Sequence, residues 1–536
     1  MGKLWYGGPI YTLQQEHHQV EAVFTNGSKI IAIGSLDEIE NRYRSEIKES
    51  VDLKGSTMLP GFVDSHVHLI GHGERLLRLD LSHMQSKDEV LSAVENYAKE
   101  ALEGEWIIGE GWNEFLWENP VPITREDLDQ IDPNHPMLLK RICRHVLVAN
   151  SLALNKASID ESTLDPAGGV IGRDHNGRLN GLLKDQAQDL LTTKIPKVTS
   201  YYIENCLRAA IKDAYRLGLT GVHTEDLNYY NGFRSTFDCM KKVINKEGLR
   251  FRTHLLVHYG VMNEFEKYGG SYLQGNEWLE FGAIKIFADG SLGGRTALLS
   301  YPYADDPTTS GLAIFSQHEL DDLVREARRL EMPVAIHAIG DQAFDMALTS
   351  IERNPLAGKG RDRLIHAEIW RNDLIERALH LPLTLDIQPG FVASDFPWVI
   401  DRVGQENMEY NFAWKTLLTR GLSCAGGSDA PIEPLSPLLG IHTAVNRTKR
   451  EDSSKTVYMP EEVLTPYEAV CLYTSGSAYA ACHEQSRGEI NVDFLADFTI
   501  LKEDIFVIDR EKIVDVKIDK TVIGGEIVYN CEKSKE

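Results

Sequence analysis

The sequence predicts an α/β protein built on a (β/α)8 barrel of the TIM type, in which eight parallel strands form a ring inside eight helices. Two observations indicate this fold. Strand-like runs recur eight times between residues 59 and 483, and most are followed by a helical pattern. Strand-rich segments without such helices stand at both ends of the chain. We therefore expect a barrel, a small β-sandwich domain formed by both termini, and a large insertion after barrel strand 1.

The terminal domain is predicted from residues 1–58 together with 484–536. In "AVFTNGSKIIAIG" (22–34), Asn26-Gly27 joins two strand-like runs, which is a strong signal for a β-hairpin. The C-terminal segment "KIVDVKIDKTVIGGEIVYN" (512–530) is equally rich in strand-forming residues.

The barrel itself is predicted from residues 59–75 and 216–483. Its first strand is "GFVDSHVHL" (61–69), and the other seven are predicted at 221–226, 250–258, 283–290, 333–340, 363–369, 383–390 and 422–431. A helix at "LTPYEAVCLYTSGSAYA" closes the barrel. Thr465, Pro466 and Glu468 there form a capping box with proline at the first helical position.

An insertion is predicted at residues 76–215, because about 150 residues separate the first two barrel strands, far more than one helical crossover requires. Its glycine-rich stretch "GGVIGRDHNGRLNG" (168–181) indicates a β-hairpin. Trp112, Phe115 and Trp117 either line a substrate pocket or pack the core of the insertion.

Composition excludes several classes of function. A net charge of −24 argues against nucleic acid and anionic membranes as partners. The seven cysteines are scattered without a C-x-x-C pair, which disfavours a disulfide framework and a cysteine zinc finger. No secretory h-region or run of about 20 apolar residues is present. We expect a cytoplasmic enzyme with a small-molecule substrate and leave a homodimer open.

The first barrel strand carries an unusual polar face. Because alternate residues of a strand point the same way, Phe62, Asp64, His66 and His68 share a face. Two imidazoles and a carboxylate are unfavourable to bury without a partner, and a metal ion would provide one.

Polar residues recur where later strands end, which is where the active sites of such barrels lie. They are Lys285 and Asp289 on the fourth strand, His337 on the fifth, His366 on the sixth and Asp429 on the eighth. Each has an ordinary structural explanation when taken alone, as a core histidine, an ion pair or a helix cap. A metal site explains all of them with one cause. Imidazole and carboxylate ligands suit Zn²⁺, and Mn²⁺ or Fe²⁺ less specifically.

Lys285 requires a separate explanation, since an ammonium group repels a cation and lysine is almost never buried unpaired. Addition of CO₂ to its amine would give a carbamate, an anionic ligand able to bridge two ions. Without that modification, Asp289 is the alternative ligand or the salt-bridge partner of Lys285.

The order H-x-H, Lys, His, His, Asp along the strands resembles the amidohydrolase superfamily. The first-strand motif "LPGFVDSHVHL" resembles its signature. Three further segments resemble the YtcJ-like (amidohydrolase-3) branch of metal-dependent hydrolases: "IKIFADGSLGGRTA", "AIHAIGDQAFDMAL" and "GSDAPIEPLSPLLGIHTAVNR". The resemblance implies that His66 and His68 bind one ion, that His337 and His366 bind a second, and that a carbamylated Lys285 bridges them. Asp429 would contact the metal and the nucleophilic water. The resemblance leaves open whether the site binds one ion or two.

The predicted activity is hydrolysis of a non-peptide C–N bond of the amide or formamide type by metal-activated hydroxide, with Asp429 as the catalytic proton carrier. Two alternatives stay open: a deaminase of a ring amidine on the same barrel, and a non-catalytic barrel scaffold. Arg295 is either a ligand for a substrate anion or part of a surface salt bridge. Asp64 either orients an imidazole ligand or has a purely structural role.

Overall fold

The computed structural model describes residues 2–101, 104–114, 117–141, 146–166, 169–195, 198–449, 452 and 454–533. The chain divides into two compact units. The first comprises Met1–Gly73 and Ser200–Glu536, and the second comprises Glu74–Thr199.

Eight parallel strands of the first unit form the predicted barrel, and strands that follow one another around the ring are neighbours in one sheet. They are β6 (Phe62–Val67), β13 (Leu219–Thr224), β14 (Arg252–His258), β15 (Leu279–Phe287), β16 (Val334–Ala338), β17 (Asp362–His366), β18 (Leu383–Ile387) and β19 (Ser423–Gly426). The ring closes between β19 and β6 through loop contacts, in which the Asp429 amide donates to His66 O (2.8 Å). All eight predicted runs overlap a strand.

Along the chain, the helices below stand between the barrel strands of the first unit or after the last of them. They are α2 (Leu69–Leu77), which runs into the second unit, α7 (Ser200–Arg216), α8 (Gly232–Met240), α9 (Met262–Tyr268), α10 (Gln317–Arg329), α11 (Asp341–Arg353), α12 (Asn372–Ala378), α13 (Phe391–Asp395), α14 (Trp398–Val403), α15 (Trp414–Thr419), α16 (Pro437–Asn446), α17 (Pro466–Cys471) and α18 (Ser477–Ala480). The capping box predicted at Thr465 is present at the start of α17.

Both termini contribute to a second sheet of the first unit. Its strands are β1 (Gly2–Tyr11), β2 (Gln19–Asn26), β3 (Lys29–Gly34), β4 (Ile47–Asp52), β5 (Thr57–Pro60), β20 (Phe498–Leu501), β21 (Ile518–Ile523) and β22 (Glu526–Asn530), and α1 (Leu36–Tyr43) packs beside them. The Asn26-Gly27 hairpin is present, with Asn26 paired to Lys29. The described strands belong to one hydrogen-bonded sheet, in which seven strands follow one another and β4 pairs with β1 as a branch. Trp5 and Phe498 nevertheless meet across a shared core, with ring centroids 5.7 Å apart.

The predicted insertion boundary at residue 215 differs from the structure, because α7 belongs to the first unit. The buried face of α7 packs on β13 and on the C-terminal hairpin of β21 and β22. Its last turn is also fixed by a hydrogen bond from Thr521 Oγ1 to Tyr215 O (2.6 Å). A helical pattern alone cannot tell which sheet a helix will cover.

The second unit has its own six-stranded sheet and its own core. Its strands are β7 (Leu79–Asp80), β8 (Ile107–Trp112), β9 (Met137–Arg141), β10 (Val146–Ala149), β11 (Gly169–Arg173) and β12 (Leu179–Asp185), and its helices are α3 (Lys87–Glu100), α4 (Arg125–Asp129), α5 (Ser151–Lys156) and α6 (Ala187–Thr192). The predicted glycine-rich hairpin corresponds to β11 and β12. Trp112 and Trp117 pack in the core of this unit, whereas Phe115 lies outside the described residues.

In the part of the chain that the structure describes, no helix combines the length and the apolar character needed to cross a bilayer.

The contact between the two ends of the chain predicts the effect of one substitution. Phe498 is fully buried against Trp5, so Phe498→Ala should lower the free energy of unfolding of the first unit by about 3–5 kcal/mol. The denaturant midpoint followed by tryptophan fluorescence measures this loss. Val507→Ala is the control, because Val507 is 75% exposed and should change stability by less than about 0.5 kcal/mol. Equal midpoints for both variants would contradict the proposed core.

Candidate metal centre

The structure brings the six predicted ligands to one end of the barrel, where the strands finish. His66 lies in β6, and His68 follows that strand directly. The others are Lys285 in β15, His337 in β16, His366 at the end of β17 and Asp429 in the loop after β19. Because parallel strands end on the same side of a barrel, residues far apart in sequence become neighbours there.

Two of these residues adopt a backbone conformation that residues other than glycine rarely take. His366 has φ 82° and Asp429 has φ 56°. A left-handed conformation at a non-glycine residue is unfavourable by about 1–3 kcal/mol and persists where surrounding contacts enforce it. At both positions the backbone turns away from its strand while the side chain stays at the centre.

The first group of ligand atoms has the spacing that a tetrahedral ion requires. Asp429 Oδ1 lies 3.4 Å from His66 Nε2 and 3.4 Å from His68 Nε2. Bonds of about 2.0–2.1 Å in a tetrahedral site separate the ligand atoms by about 3.3–3.4 Å. Asp429 Oδ1 is also buried and accepts no hydrogen bond in the structure. An unpartnered buried carboxylate oxygen between two imidazoles fits a divalent cation.

The protonation of His68 is set by its neighbours. Its Nδ1 lies 2.7 Å from Glu225 O, and since a carbonyl can only accept, Nδ1 carries a proton and Nε2 faces Asp429. Burial opposes a charged ring, but the adjacent carboxylate of Asp429, followed by that of Glu225, raises the pKa of His68 to about 9. The site therefore favours a positive charge beside Nε2.

The second pair of histidines has two ring nitrogens directed at each other. His337 Nε2 lies 3.1 Å from Gly290 O and must donate to it, which leaves Nδ1 unprotonated in a neutral ring. His337 Nδ1 is 2.9 Å from His366 Nε2, which is the length of a hydrogen bond. The other nitrogen of His366, Nδ1, lies 2.9 Å from Gln388 Oε1.

Both rings of this pair are held in the neutral state. Burial lowers the pKa of His366 to about 4, and burial followed by the proximity of His366 and Lys285 holds the pKa of His337 well below its usual range. At 2.9 Å the two facing nitrogens stand at a hydrogen-bond length, shorter than the separation of about 3.3 Å between the ligands of a tetrahedral ion. A second ion bound by His337 Nδ1 and His366 Nε2 would replace that hydrogen bond and move the two nitrogens apart.

Lys285 lies beside the first group. Its side chain is buried, and its Nζ is 3.1 Å from His66 Nε2 and 4.7 Å from the centre of the Phe287 ring. Burial lowers the pKa of Lys285 to about 8, against the opposing effect of nearby carboxylates, Glu225 foremost. A neutral amine is therefore accessible near neutral pH.

Asp289 is engaged by the backbone rather than by the Lys285 amine, its predicted partner. Its carboxylate accepts hydrogen bonds from the amides of Leu298 (2.8 Å), Ile339 (3.1 Å) and Gly340 (2.9 Å). Its Oδ1 is also 3.5 Å from His337 Nε2. Asp289 thus fixes the loops that surround His337.

Asp64 holds two ligand-bearing segments together. Its carboxylate accepts hydrogen bonds from the amide of His66 (3.0 Å) and from the amide of Ser428, next to Asp429 (3.0 Å). Burial raises its pKa to about 7, although these hydrogen bonds favour the charged form. Of the two roles that the sequence left open for Asp64, the contacts with backbone amides match the structural one rather than direct orientation of an imidazole.

The two residues predicted to contact substrate have other partners. Arg295 forms a two-point ion pair with Asp305 (3.1 and 2.9 Å), which matches the surface salt-bridge interpretation. Trp112 is 1% exposed in the core of the second unit.

Sequence reasoning missed several polar residues that support the site. They are Glu225 and Gln388, which bind the imidazoles of His68 and His366, and the buried ion pair of Arg363 and Asp386. A signal was available in "LTLDIQPG", because Asp386 and Gln388 occupy alternate positions of an otherwise apolar strand.

A second group of potential ligands lies near the opposite ends of the strands. Glu280 Oε1 is 3.0 Å from His254 Nδ1 and 2.5 Å from His483 Nε2. These are hydrogen-bond lengths to one shared oxygen, shorter than the ligand separation of about 3.3 Å in a tetrahedral metal site. Two imidazoles that donate to one carboxylate explain the group without an ion.

Comparison with known proteins finds similar sequences and similar structures. Residues 49–529 match the Amidohydrolase family. The chain is 49% identical to the putative amidohydrolase YtcJ of Bacillus subtilis (strain 168) over the whole of both proteins. It is 26% identical to the N-substituted formamide deformylase of Arthrobacter pascens, with 97% of each chain covered. Among solved structures, an uncharacterized metal-dependent hydrolase from Pyrococcus horikoshii OT3 superposes with a TM-score of 0.79 at 30% identity, covering 95% of this chain and 99% of that one.

The two ligand groups predict the outcome of histidine substitutions. His68→Asn and His366→Asn should each reduce the bound divalent cation, because each removes a lone pair directed at a candidate site. Elemental analysis after gentle purification measures the metal per chain. His72→Asn is the matched control, since His72 pairs with Asp213 (3.0 Å) through Nε2 and should leave the metal content unchanged. Loss of metal in all three variants alike would argue against specific ligation.

The charge state of His68 predicts how cation binding depends on pH. A pKa raised to about 9 means that the metal-free ring is protonated at pH 7, so a cation must displace that proton. Apparent affinity should therefore rise with pH up to about 9, by roughly tenfold per pH unit, with about one proton released per ion. Calorimetric titration in buffers of different ionisation enthalpy detects the proton. An affinity that is constant from pH 7 to 9 would contradict the assignment.

Proposed function

The chain belongs to the Amidohydrolase family, and from this premise we propose that it hydrolyses a non-peptide C–N bond of the amide or formamide type in a small molecule. The observation that carries the proposal is the position of Asp429 Oδ1, which is buried, has no hydrogen-bond partner and lies 3.4 Å from two imidazole nitrogens. One carboxylate there can both ligate a cation and move a proton.

The type of bond is supported by the relatives. The Arthrobacter protein is named an N-substituted formamide deformylase, and it aligns with this chain over almost its entire length. A site with four imidazoles and a carboxylate, but no serine or cysteine among its candidate groups, suits attack by water rather than by a side chain.

We propose Zn²⁺ as the cation, with Mn²⁺ or Fe²⁺ as alternatives. His66, His68 and Asp429 would hold one ion, and His337 with His366 would hold a second. When bound, such an ion lowers the pKa of a water molecule toward about 7 and polarises a carbonyl oxygen.

Asp429 carries the proton in this proposal. As water attacks the substrate carbonyl carbon, an O–C bond forms and Asp429 Oδ2 or Oδ1 accepts the proton that the water loses. The C–N bond then breaks, and Asp429 returns that proton to the departing nitrogen. The neighbouring His68, His366 and Lys285 lower the pKa of Asp429 against the effect of burial, so the carboxylate is ionised and ready to accept.

Lys285 is proposed to act as a carbamate. The Lys285 ammonium would first lose one proton, and the neutral amine would then add CO₂ and release a second, which replaces a cationic group by an anionic oxygen ligand. This change removes the repulsion between a buried ammonium and a divalent ion, and His66 Nε2 at 3.1 Å shows that the side chain reaches the first group.

Substitution of Asp429 tests the proton-carrier role. Asp429→Asn keeps the shape of the side chain but cannot accept the proton, so kcat should fall by about 10²–10⁴-fold. Metal content is measured in the same preparations, because a loss of metal would point to ligation instead. Asp373→Asn is the control, since Asp373 has 61% of its side chain exposed. An Asp429→Asn enzyme with full kcat and full metal content would remove the proposed role.

The reaction class is tested with a panel of N-formyl, N-acyl and aminopurine compounds. Release of formate or another carboxylate together with an amine is the expected result. Release of ammonia from the aminopurines alone would identify a deaminase. Metal-loaded protein that turns over no member of a broad panel would favour the non-catalytic scaffold.

A further inference from the structure

We propose that Arg363 is a positioning residue, which holds the H-x-H segment in its cation-binding geometry from inside the barrel. The inference rests on the proposed function only in that the H-x-H segment binds a cation. Arg363 itself contacts none of the six candidate ligand side chains through a hydrogen bond in the described structure.

The need for such a residue arises from an irregularity in β6. In the ladder between β6 and β13, Asp64 is paired with Val222 and Val67 with Thr224. Two residues of β6, Ser65 and His66, therefore stand opposite a single residue of β13. Such a bulge leaves the extra residue outside the ladder and bends the strand. The bulge coincides with the first histidine of the H-x-H segment.

Arg363 binds the carbonyl group that the bulge displaces. Its Nη2 donates to Ser65 O (2.7 Å), while its Nε donates to Asp386 Oδ2 (2.7 Å). On the other side of the bulge, His66 O accepts from the Asp429 amide (2.8 Å). The peptide groups that flank the His66 side chain are thus fixed from two directions.

The position of Arg363 relates this contact to the second ligand group. Arg363 and His366 lie in the same strand, β17, and the rings of His366 and His66 are 5.9 Å apart. One guanidinium therefore ties together β17, β18 through Asp386, and the bulge of β6. A planar guanidinium fixes the direction of both hydrogen bonds, which a lysine ammonium cannot do.

Stability alone is a weak explanation for this ion pair. The side chains of Arg363 and Asp386 are 1% and 0% exposed, in a barrel interior that is usually filled by branched aliphatic side chains. Desolvation of a buried pair often cancels its Coulomb attraction, so apolar residues would stabilise the fold at least as well. The orientation of Ser65 O is the property that an apolar pair would lose.

The chain offers a matched control one position away. Arg328 pairs with Asp362, the residue before Arg363, at 2.6 Å, and both side chains are largely buried. The other hydrogen bonds of Arg328 go to Asn354 O and Met332 O, not to the H-x-H segment. Removal of this pair reports what the loss of a buried Arg–Asp pair does by itself.

The experiment compares cation affinity in four proteins by competition with a chromophoric chelator, using Zn²⁺ alone. Arg363→Lys keeps the charge, and the double variant Arg363→Met/Asp386→Asn removes both charges so that no uncompensated carboxylate remains. The affinity of the H-x-H site for Zn²⁺ should fall about 10–100-fold in both, as for other groups that orient metal ligands. Arg328→Met should lower the melting temperature but leave Zn²⁺ affinity within about twofold of the wild type.

The outcomes separate the two proposals. Wild-type affinity in both Arg363 variants would overturn the positioning role, and so would an equal loss in Arg328→Met or full recovery by lysine. A wild-type protein that binds Zn²⁺ but hydrolyses nothing in the panel would instead overturn the proposed function and leave the role of Arg363 standing. A wild-type protein without Zn²⁺ affinity would overturn both.

Discussion

The burial of imidazoles and carboxylates together at one end of the barrel is the constraint on which the rest of this structure depends. His337 and His366 stand 2.9 Å apart there, and Asp429 Oδ1 lies between His66 and His68 without a hydrogen-bond partner. Such a concentration of polar groups is unfavourable in an apolar interior unless each group finds a partner. The left-handed backbone at His366, the amides that bind Asp289 and the buried amine of Lys285 belong to the same region, where the proposed cation would offset that cost.

The barrel strands form a rigid support for these groups, which come from distant parts of the chain. The six candidate ligands stand on or beside five strands. The residues that orient three of them come from other elements: Glu225 for His68, Gln388 for His366, and Asp64 for the segment of Asp429. Hydrogen bonds to backbone groups dominate these contacts. Side chains in the loops could therefore change with the substrate while the ligand geometry stays constant.

Much of the fold and of the candidate site could be predicted, because both leave periodic traces in the sequence. Eight strand-like runs predict the ring, and the polar residues at their ends predict His66, His68, Lys285, His337, His366 and Asp429 as one group. Interactions that depend on packing left no such trace. Several features follow only from distances between residues far apart in the chain. They are the partners of Asp289 and Arg295, the sheet that α7 covers, and the pairing of the terminal strands into one sheet. Arg363 was missed because a lone arginine in a strand looks the same in the sequence whether it faces solvent or the barrel interior.

The joining of both termini in one sheet has a consequence for the order in which the protein assembles during its synthesis. β5 has only one paired residue with β1 and pairs along its whole length with β20, whose last residue is Leu501. All eight barrel strands therefore leave the ribosome before β5 obtains its main partner, and one edge of β5 stays unpaired until Phe498–Leu501 has been synthesised. A nascent chain that stops before β20 would expose that edge, and an unpaired strand edge is a template for aggregation.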